Sequence, residues 1–218
     1  MSKLSELSNH MIKGYPGVRP PELRLHPDAK SFNMKFPIIM KDVRELYDDS
    51  SRNILGTGPS KFDKLEANIN DRLTKIIKQA GDNQNRKTNV KAYMTDWFMQ
   101  RKYHIFNSVG DIAIKFAQEA SPSEVQLELY DIWGAVYKRG DFTKNHDHWP
   151  HTWSFSYYVK SDGTTPIIFP DSPYSPYSLY PKTNDIVLFP GILRHGVPIH
   201  DSDEERIIVS GNIDIKYS

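Results

Sequence analysis

The sequence contains no cysteine, and this absence excludes several kinds of chemistry at once. Disulfide bonds, thiolate metal sites and thiol nucleophiles all need that side chain. A metal ion would therefore have to be held by His, Asp or Glu. Eight histidines are present, and five of them fall in the last third of the chain: His146, His148, His151, His195 and His200.

Long apolar runs and a large net charge are also missing. No run approaches the roughly 18 apolar residues of a membrane span, and the first residues lack the apolar segment of a secretory signal. The 28 Lys and Arg nearly balance the 27 Asp and Glu, for a formal charge of +1. A dedicated binder of bulk nucleic acid carries a clear positive excess, so that class is disfavoured. We expect a soluble, intracellular protein without membrane association.

The 218 residues fit a single domain, 1–218, whose composition changes along the chain. Residues 1–33 are rich in proline and charge without periodicity, which predicts an extended arm. Residues 34–122 carry a short apolar run at 36–40, read as a buried strand, and helical patterns that would brace the fold. Residues 123–218 change to the period of β-strands and form the predicted core.

Two helices are predicted in the first half. One starts at the capping-box-like pair Ser60 and Asp63, has apolar residues at helical spacing, and stops near Gly81. The other is capped by Asn107 and ends before Pro122.

The second half reads as short strands separated by Gly and Pro turns. Val125, Leu127 and Leu129 alternate with polar neighbours, as in a half-buried strand. The Pro, Tyr and Ser run at 170–181 is read as a connection. Further strands are predicted at 132–138, 145–148, 152–159, 166–169, 185–189, 194–198 and 206–215. This pattern, with helices bracing one face, predicts a mainly β fold with a double-layered antiparallel sheet such as a jelly roll.

The motif NHDHWPH at 145–151 is the strongest chemical signal. In a strand, residues i and i+2 lie on one face, so His146 and His148 are predicted to present two imidazoles to one point. His195 is the natural third ligand, and three imidazoles leave positions open for substrate and oxygen. His151 and His200 lack such a spacing and are read as loop residues.

Arg206 opens the last predicted strand, where it shares one face with Ile208, Ser210 and Asn212. An arginine inside a barrel needs an anion, and a small dicarboxylate would pair with it bidentately, with Ser210 or a tyrosine hydroxyl as a second donor. The alternative is an ion pair with an acid of the preceding loop: Asp201, Asp203 or Glu204.

Four blocks in order resemble the small Fe(II)- and 2-oxoglutarate-dependent oxygenases of bacterial and phage genomes. That family's blocks are written H-x-H-P, S-G-x-Y-Y-V, L-F-P with a following H-x-V, and R-x-S-x-S-x-N. The matching segments, within roughly residues 130–215, are HDHWP at 146–150, SFSYYV at 154–159, DIVLFPG with RHGV at 185–197, and ERIIVSGN at 205–212.

The resemblance implies a cupin-like double-stranded β-helix that uses Fe(II), 2-oxoglutarate as co-substrate and O2, with ascorbate as an optional addition. It implies a dioxygenase that hydroxylates an unidentified small molecule or peptide. Peptidyl proline is one candidate, because an aromatic-rimmed mouth near the Pro- and Tyr-rich loop at 170–181 would admit a chain; a nucleobase, an amino acid or a small metabolite fits the residues equally well. It also implies a cytoplasmic location, in a bacterial cell or a phage-infected host. Carried over by position, His146, His148 and His195 would hold the iron. Arg206 would bind the distal carboxylate of 2-oxoglutarate, with hydroxyls from Tyr158 and Ser210.

The sequence departs from the family pattern at several positions. His148 stands where the wider superfamily has Asp or Glu, so a two-histidine, one-carboxylate set becomes three histidines. Trp149 displaces the proline to Pro150, Phe155 replaces a glycine, and Ile208 replaces a serine. Two other classes therefore stay open: a cupin-like three-histidine metalloenzyme that does not use 2-oxoglutarate, and a non-catalytic jelly-roll binding or virion-associated protein with adventitious metal.

Overall fold

The computed structural model describes residues 37–44, 61–81, 88–171 and 176–216, with side chains from residue 69 onward in the second range. The predicted arm at 1–33 and Ser60 of the predicted capping pair lie outside these ranges. Among the described helices, none combines the length and apolar character needed to cross a bilayer.

Two antiparallel sheets dominate the described residues. Their strands are β1 (Ile39–Asp42), β2 (Val90–Lys91), β3 (Tyr93–Met94), β4 (Leu127–Tyr137), β5 (Phe142–His146), β6 (Trp153–Lys160), β7 (Ile167–Phe169), β8 (Tyr177–Leu179), β9 (Asp185–Pro190), β10 (His195–Val197) and β11 (Arg206–Ile215). One sheet has the order β1-β9-β6-β11-β4-β3 and the other the order β2-β5-β10-β7-β8. The predicted fold class, a mainly β jelly roll with bracing helices, is confirmed.

Helices α1 (Lys61–Gln79) and α2 (His104–Glu119) pack against the six-stranded sheet. Leu73 and Ile77 of α1 are fully buried, as the predicted apolar spacing requires. Burying such a side chain contributes roughly 1.5–3 kcal/mol. The left-handed backbone of Gly81, with φ of 84°, lies just beyond the end of α1, where glycine is favoured.

Alternation along β11 separates two hydrophobic clusters. Ile207 and Val209 belong to the cluster shared with the helices, whereas Ile208 belongs to a second cluster shared with β7 and β10 of the other sheet. The same alternation turns Arg206 and Ser210 toward the cavity that Ile208 lines. The strand period read from the sequence therefore decides which face of β11 carries chemistry.

Some predicted boundaries are wrong. Helix α2 begins at His104 rather than at Asn107, because the Asn107 amide instead donates to the Gln100 carbonyl, at 3.1 Å. The strand predicted at 36–40 is β1, displaced to Ile39–Asp42 and half-buried at the edge of its sheet. The strand predicted at 145–148 is β5, which ends at His146.

The two strands predicted on either side of residue 130 form one continuous strand, β4. Its register with β11 pairs Asn212 with Asp131 and Ile213 with Leu129. Tyr130 is therefore the extra residue of a β-bulge, which bends a strand and changes the direction of a side chain. The short strands β2, β3 and β8 were not predicted.

Candidate metal centre

His146 and His195 lie directly opposite each other on the paired strands β5 and β10. Their ring centroids are 4.5 Å apart. The Nδ1 of His146 lies 2.8 Å from the Lys144 carbonyl, and the Nδ1 of His195 lies 3.0 Å from the Leu193 carbonyl. A carbonyl accepts from an N–H, so these contacts fix the ring orientation and leave each Nε2 lone pair for a metal.

His148 reaches the same point by a different route from the one predicted. It lies beyond the end of β5, so strand alternation does not place it. Its backbone N–H donates to the Gly191 carbonyl at 2.7 Å, and its ring stacks on His195 with 5.1 Å between centroids. A side chain at Gly191 would collide with the carbonyl of His151, so this close approach of the two chain segments requires glycine.

One potential ligand atom from each of the three histidines lies within 4.8 Å of the others. Burial, with a smaller contribution from the nearby His146, lowers the pKa of His195 to about 3. Burial and the neighbouring rings hold the pKa of His148 well below its ordinary value, and burial lowers the pKa of His146. All three rings are therefore neutral near pH 7, which is the state that binds a metal ion.

The three rings line a narrow cavity between the sheets, and Arg206 lines the same cavity. Arg206 is 2% exposed, and its Nη2 donates to the Tyr158 hydroxyl at 3.3 Å. Its Nε and Nη1 are buried without a hydrogen-bond partner. The guanidinium carbon lies 5.0 Å from the ring centre of Tyr158 and 5.2 Å from that of Tyr137. Arg206 is thus a buried cation with two N–H donor atoms, Nε and Nη1, that have no hydrogen-bond partner.

The alternative of a surface ion pair for Arg206 is wrong. Asp201 and Asp203 both bind Arg139, and Glu204 binds Lys160 at 2.7 Å. Within the described residues no carboxylate pairs with Arg206, because the acids of the preceding loop serve other cations.

No family model and no curated protein matches the sequence. Solved structures do match. The viral collagen prolyl hydroxylase of Paramecium bursaria Chlorella virus-1, in its 2-oxoglutarate complex, has a TM-score of 0.52 at 17% identity, over 70% of this chain and 91% of its own. A prolyl-4-hydroxylase of Pseudomonas putida has a TM-score of 0.57 at 12% identity, over 83% of this chain and 94% of its own. HygX of Streptomyces hygroscopicus, with nickel and 2-oxoglutarate bound, has a TM-score of 0.58 at 9% identity, over 84% of this chain and 83% of its own.

The chain has the fold of 2-oxoglutarate-Fe(II) oxygenases. The resemblance read from the four sequence blocks is confirmed at the level of the fold. In this oxygenase fold the three histidines and Arg206 come together in one cavity, although they come from different strands and one loop.

Several residues of the oxygenase-fold cavity were not singled out from the sequence. The Tyr137 hydroxyl lies 2.7 Å from the Thr143 hydroxyl, and the Ser156 hydroxyl lies 2.7 Å from that of Ser210. Burial raises the pKa of Tyr137 and of Tyr158, so both stay protonated at neutral pH. Tyr137 could have been found from the sequence only through its position opposite Arg206 on the neighbouring strand, and that position is known only when the register of β4 and β11 is known.

The other two late histidines, His151 and His200, do not belong to the three-histidine cluster of this oxygenase fold. His151 lies in a loop and forms a 2.8 Å ion pair with Asp214 when protonated. His200 is also in a loop, as predicted, but it is fully buried. Its Nδ1 lies 2.6 Å from the Thr165 hydroxyl and its Nε2 lies 2.7 Å from the Glu204 carbonyl. With both nitrogens occupied, His200 is not a metal ligand.

Proposed function

We propose that the chain is a non-haem Fe(II)- and 2-oxoglutarate-dependent dioxygenase that hydroxylates a small molecule or a peptide. One observation carries the proposal: three neutral imidazoles and a buried guanidinium with two unused donors line the same cavity. The fold likeness to oxygenases supports it.

The residues fit both groups. Three imidazole nitrogens suit a first-row divalent ion such as Fe(II), and they leave coordination positions open. The unused Nε and Nη1 of Arg206 fit a carboxylate, because a planar guanidinium binds both oxygens with charge-assisted hydrogen bonds. A buried guanidinium without such a partner is costly. The proposed ligands are thus His146, His148 and His195 for iron, and Arg206 for the distal carboxylate of 2-oxoglutarate.

Two hydroxyls complete the proposed co-substrate site. Tyr158 accepts a hydrogen bond from Arg206, so its own O–H stays free to donate to the same carboxylate. Ser210 lies two strand positions beyond Ile208 on the cavity side and shares a hydrogen bond with Ser156. Either hydroxyl of that pair is the donor, so one proton remains for a ligand oxygen.

When bound, Fe(II) with 2-oxoglutarate and O2 supplies an oxidation that converts 2-oxoglutarate into succinate and CO2 and hydroxylates the substrate. The chain's own residues position the histidine rings and exclude water from the cavity. The Lys144 and Leu193 carbonyls hold the rings of His146 and His195 in place before metal binds. Phe189 gives the cavity an apolar wall beside His195, and such a wall strengthens the charge pairing at Arg206.

An anaerobic titration tests the proposal. Iron(II)-loaded protein is mixed with 2-oxoglutarate, and a weak visible charge-transfer band is expected. The band should be absent in His146→Ala, which loses a ligand, and unchanged in Arg139→Ala, which removes only two surface ion pairs. Iron-bound wild-type protein without the band overturns the assignment.

A three-histidine metalloenzyme that does not use 2-oxoglutarate is the second candidate. The all-imidazole set favours it, because the oxygenase superfamily ordinarily has a carboxylate where His148 stands. In that case metal binds, 2-oxoglutarate leaves the spectrum unchanged, and no succinate forms with any substrate. A screen of substrates by succinate production separates the two candidates, and peptides containing proline belong in that screen.

A further inference from the structure

An aromatic groove opens beside the candidate metal centre, on the other side of His148. We use the name aromatic groove for the surface walled by Trp97, Phe98, Tyr130, Trp149 and His151, with Asp131 and Asn212 also lining it. His148 lines both this groove and the cavity that holds Arg206. Trp149 is 69% exposed and Tyr130 is 49% exposed, so large rings face solvent at the entrance.

Two local distortions place these rings. Phe98 has a left-handed backbone with φ of 60°, which is strained for a bulky residue. Tyr130 is the extra residue of the bulge in β4, and its carbonyl accepts a 3.1 Å hydrogen bond from the Gln100 amide. The bulge lets neighbouring Tyr130 and Asp131 line the same groove, although alternation would put them on opposite faces. The rings of Phe98 and Tyr130 lie 5.9 Å apart. Strain and a bulge beside a candidate site are features of a built binding surface.

Asp131 is the charged group of the groove. It is 5% exposed, and its Oδ1 accepts a 2.8 Å hydrogen bond from the Asn212 amide. Burial raises its pKa, and Asn212 and His151 act in the opposite direction. Among the described residues no lysine or arginine pairs with Asp131, although Arg101 lies 4.2 Å over the nearby ring of Phe98. A buried carboxylate therefore lines the aromatic groove without an ion pair to a lysine or arginine of the described residues.

We propose that the aromatic groove binds a cationic amine of the substrate, with the ammonium held by Asp131 and covered by the rings. A desolvated carboxylate gains most from a cation that also donates hydrogen bonds. Aromatic faces attract the same charge, and tryptophan does so best. Because His148 borders both sites, the carbon chain attached to the amine lies next to the metal centre. This substrate class rests on the proposed oxygenase function.

A binding experiment with two probes of the same shape tests the groove alone. Metal-free protein in a chelator is titrated with benzylammonium and with benzyl alcohol, and intrinsic tryptophan fluorescence is followed. Wild-type protein is expected to bind the cation about tenfold more tightly. Asp131→Asn keeps the acceptor for Asn212 and should bring the two affinities together, whereas Trp149→Ala should weaken both. Asp111→Asn, at an exposed position of α2, is the matched control and should behave as wild type.

Equal affinities for the two probes in wild-type protein overturn the proposal, and so does a preference that survives Asp131→Asn. Tighter binding of the alcohol would indicate a neutral ring as the occupant instead. A turnover experiment then separates this inference from the oxygenase assignment. Amine-bearing compounds, each paired with its N-acetylated form, are screened for succinate production. Succinate without preference for the free amine rejects the amine site alone, whereas no succinate and no charge-transfer band reject the oxygenase.

Discussion

Two buried side chains of opposite charge border the candidate metal centre. Arg206 is 2% exposed in the cavity and Asp131 is 5% exposed in the aromatic groove. Neither has an ion-pair partner among the described residues, and leaving such charges unpaired costs stability. The two charges lie in separate pockets, so the two proposed ligands are sorted by charge: an anionic co-substrate by Arg206 and a cationic substrate group by Asp131.

Replacing Arg206 by alanine is expected to weaken 2-oxoglutarate binding at least tenfold, about 1.4 kcal/mol, because charge-assisted hydrogen bonds are lost. The charge-transfer band, followed as a function of 2-oxoglutarate concentration, measures the change. Iron affinity should stay the same, since the substitution removes no ligand. An Arg206→Ala protein with wild-type affinity for 2-oxoglutarate would contradict the role given to the arginine.

Replacing Asp131 by asparagine is expected to stabilise the protein at neutral pH. The folded-state pKa of Asp131 is raised above the ordinary 3.8, mainly by burial. The folded state therefore binds the proton more tightly than the unfolded state, and the wild type loses stability as the pH rises through this window. The gain from Asp131→Asn should be largest at pH 7 and shrink as the pH falls toward the ordinary value. Urea unfolding at several pH values measures it, and a gain independent of pH would show that charge is not its cause.

The long elements were predictable because their periods are decided by burial. Helix α1 and strands β6, β9 and β11 were predicted to within about a residue or two at their ends, whereas the capping contact predicted for α1 lies outside the described residues. The two- and three-residue strands β2, β3 and β8 were missed, because pairing with a neighbouring strand defines them. A sequence carries the period of a strand but not its partner.

The approach of the three histidines illustrates the same limit. The i, i+2 spacing of His146 and His148 suggested one strand face, but β5 ends at His146. The observed geometry depends on the backbone contact between His148 and Gly191, two segments far apart in the chain. The three histidines could therefore be chosen from the sequence, whereas the backbone contact that brings His148 to the other two could not be predicted from it.

Helix α1 packs closely on strand β4 where Ile77 faces Gly134. A Cβ at Gly134 would lie 2.5 Å from Cγ1 of Ile77. Gly134→Ala is therefore expected to cost about 1–3 kcal/mol of unfolding free energy, through overpacking. Ile77→Ala alone, which removes Cγ1, Cγ2 and Cδ1, should cost about 2–5 kcal/mol, and the double variant should cost less than the sum, because these atoms make the clash. Chemical denaturation of the four proteins measures the coupling, and strict additivity would show that the helix moves away freely.

At the scale of the whole molecule, the proposed ligands connect the two sheets. His146 and His195 belong to the five-stranded sheet, whereas Arg206 belongs to the six-stranded sheet. A metal ion held by the histidines and a dicarboxylate held by Arg206 would join them across the cavity. Bound ligands should therefore stabilise the whole fold.

Nickel(II) and 2-oxoglutarate are expected to raise the thermal midpoint together. A ligand at 100 times its dissociation constant adds about 2.7 kcal/mol to the free energy of unfolding. Nickel(II) by itself should raise the thermal midpoint. Adding 2-oxoglutarate should raise the midpoint further in wild-type protein, but only slightly in Arg206→Ala. His146→Ala should respond weakly to both. Differential scanning fluorimetry measures these shifts, and a 2-oxoglutarate effect independent of both metal and Arg206 would place the acid elsewhere.

The position of β11 at the interior of the six-stranded sheet has a consequence for the lifetime of the site. β11 pairs with β4 along almost its whole length and with β6 on its other side, whereas β10 has three residues between two short partners. Amide hydrogens of β11 should exchange with solvent only in global unfolding, and those around His195 in smaller, more frequent openings. A metal ion bound at the proposed site is therefore expected to exchange by local opening, while Arg206, the residue proposed to bind the acid, stays in place.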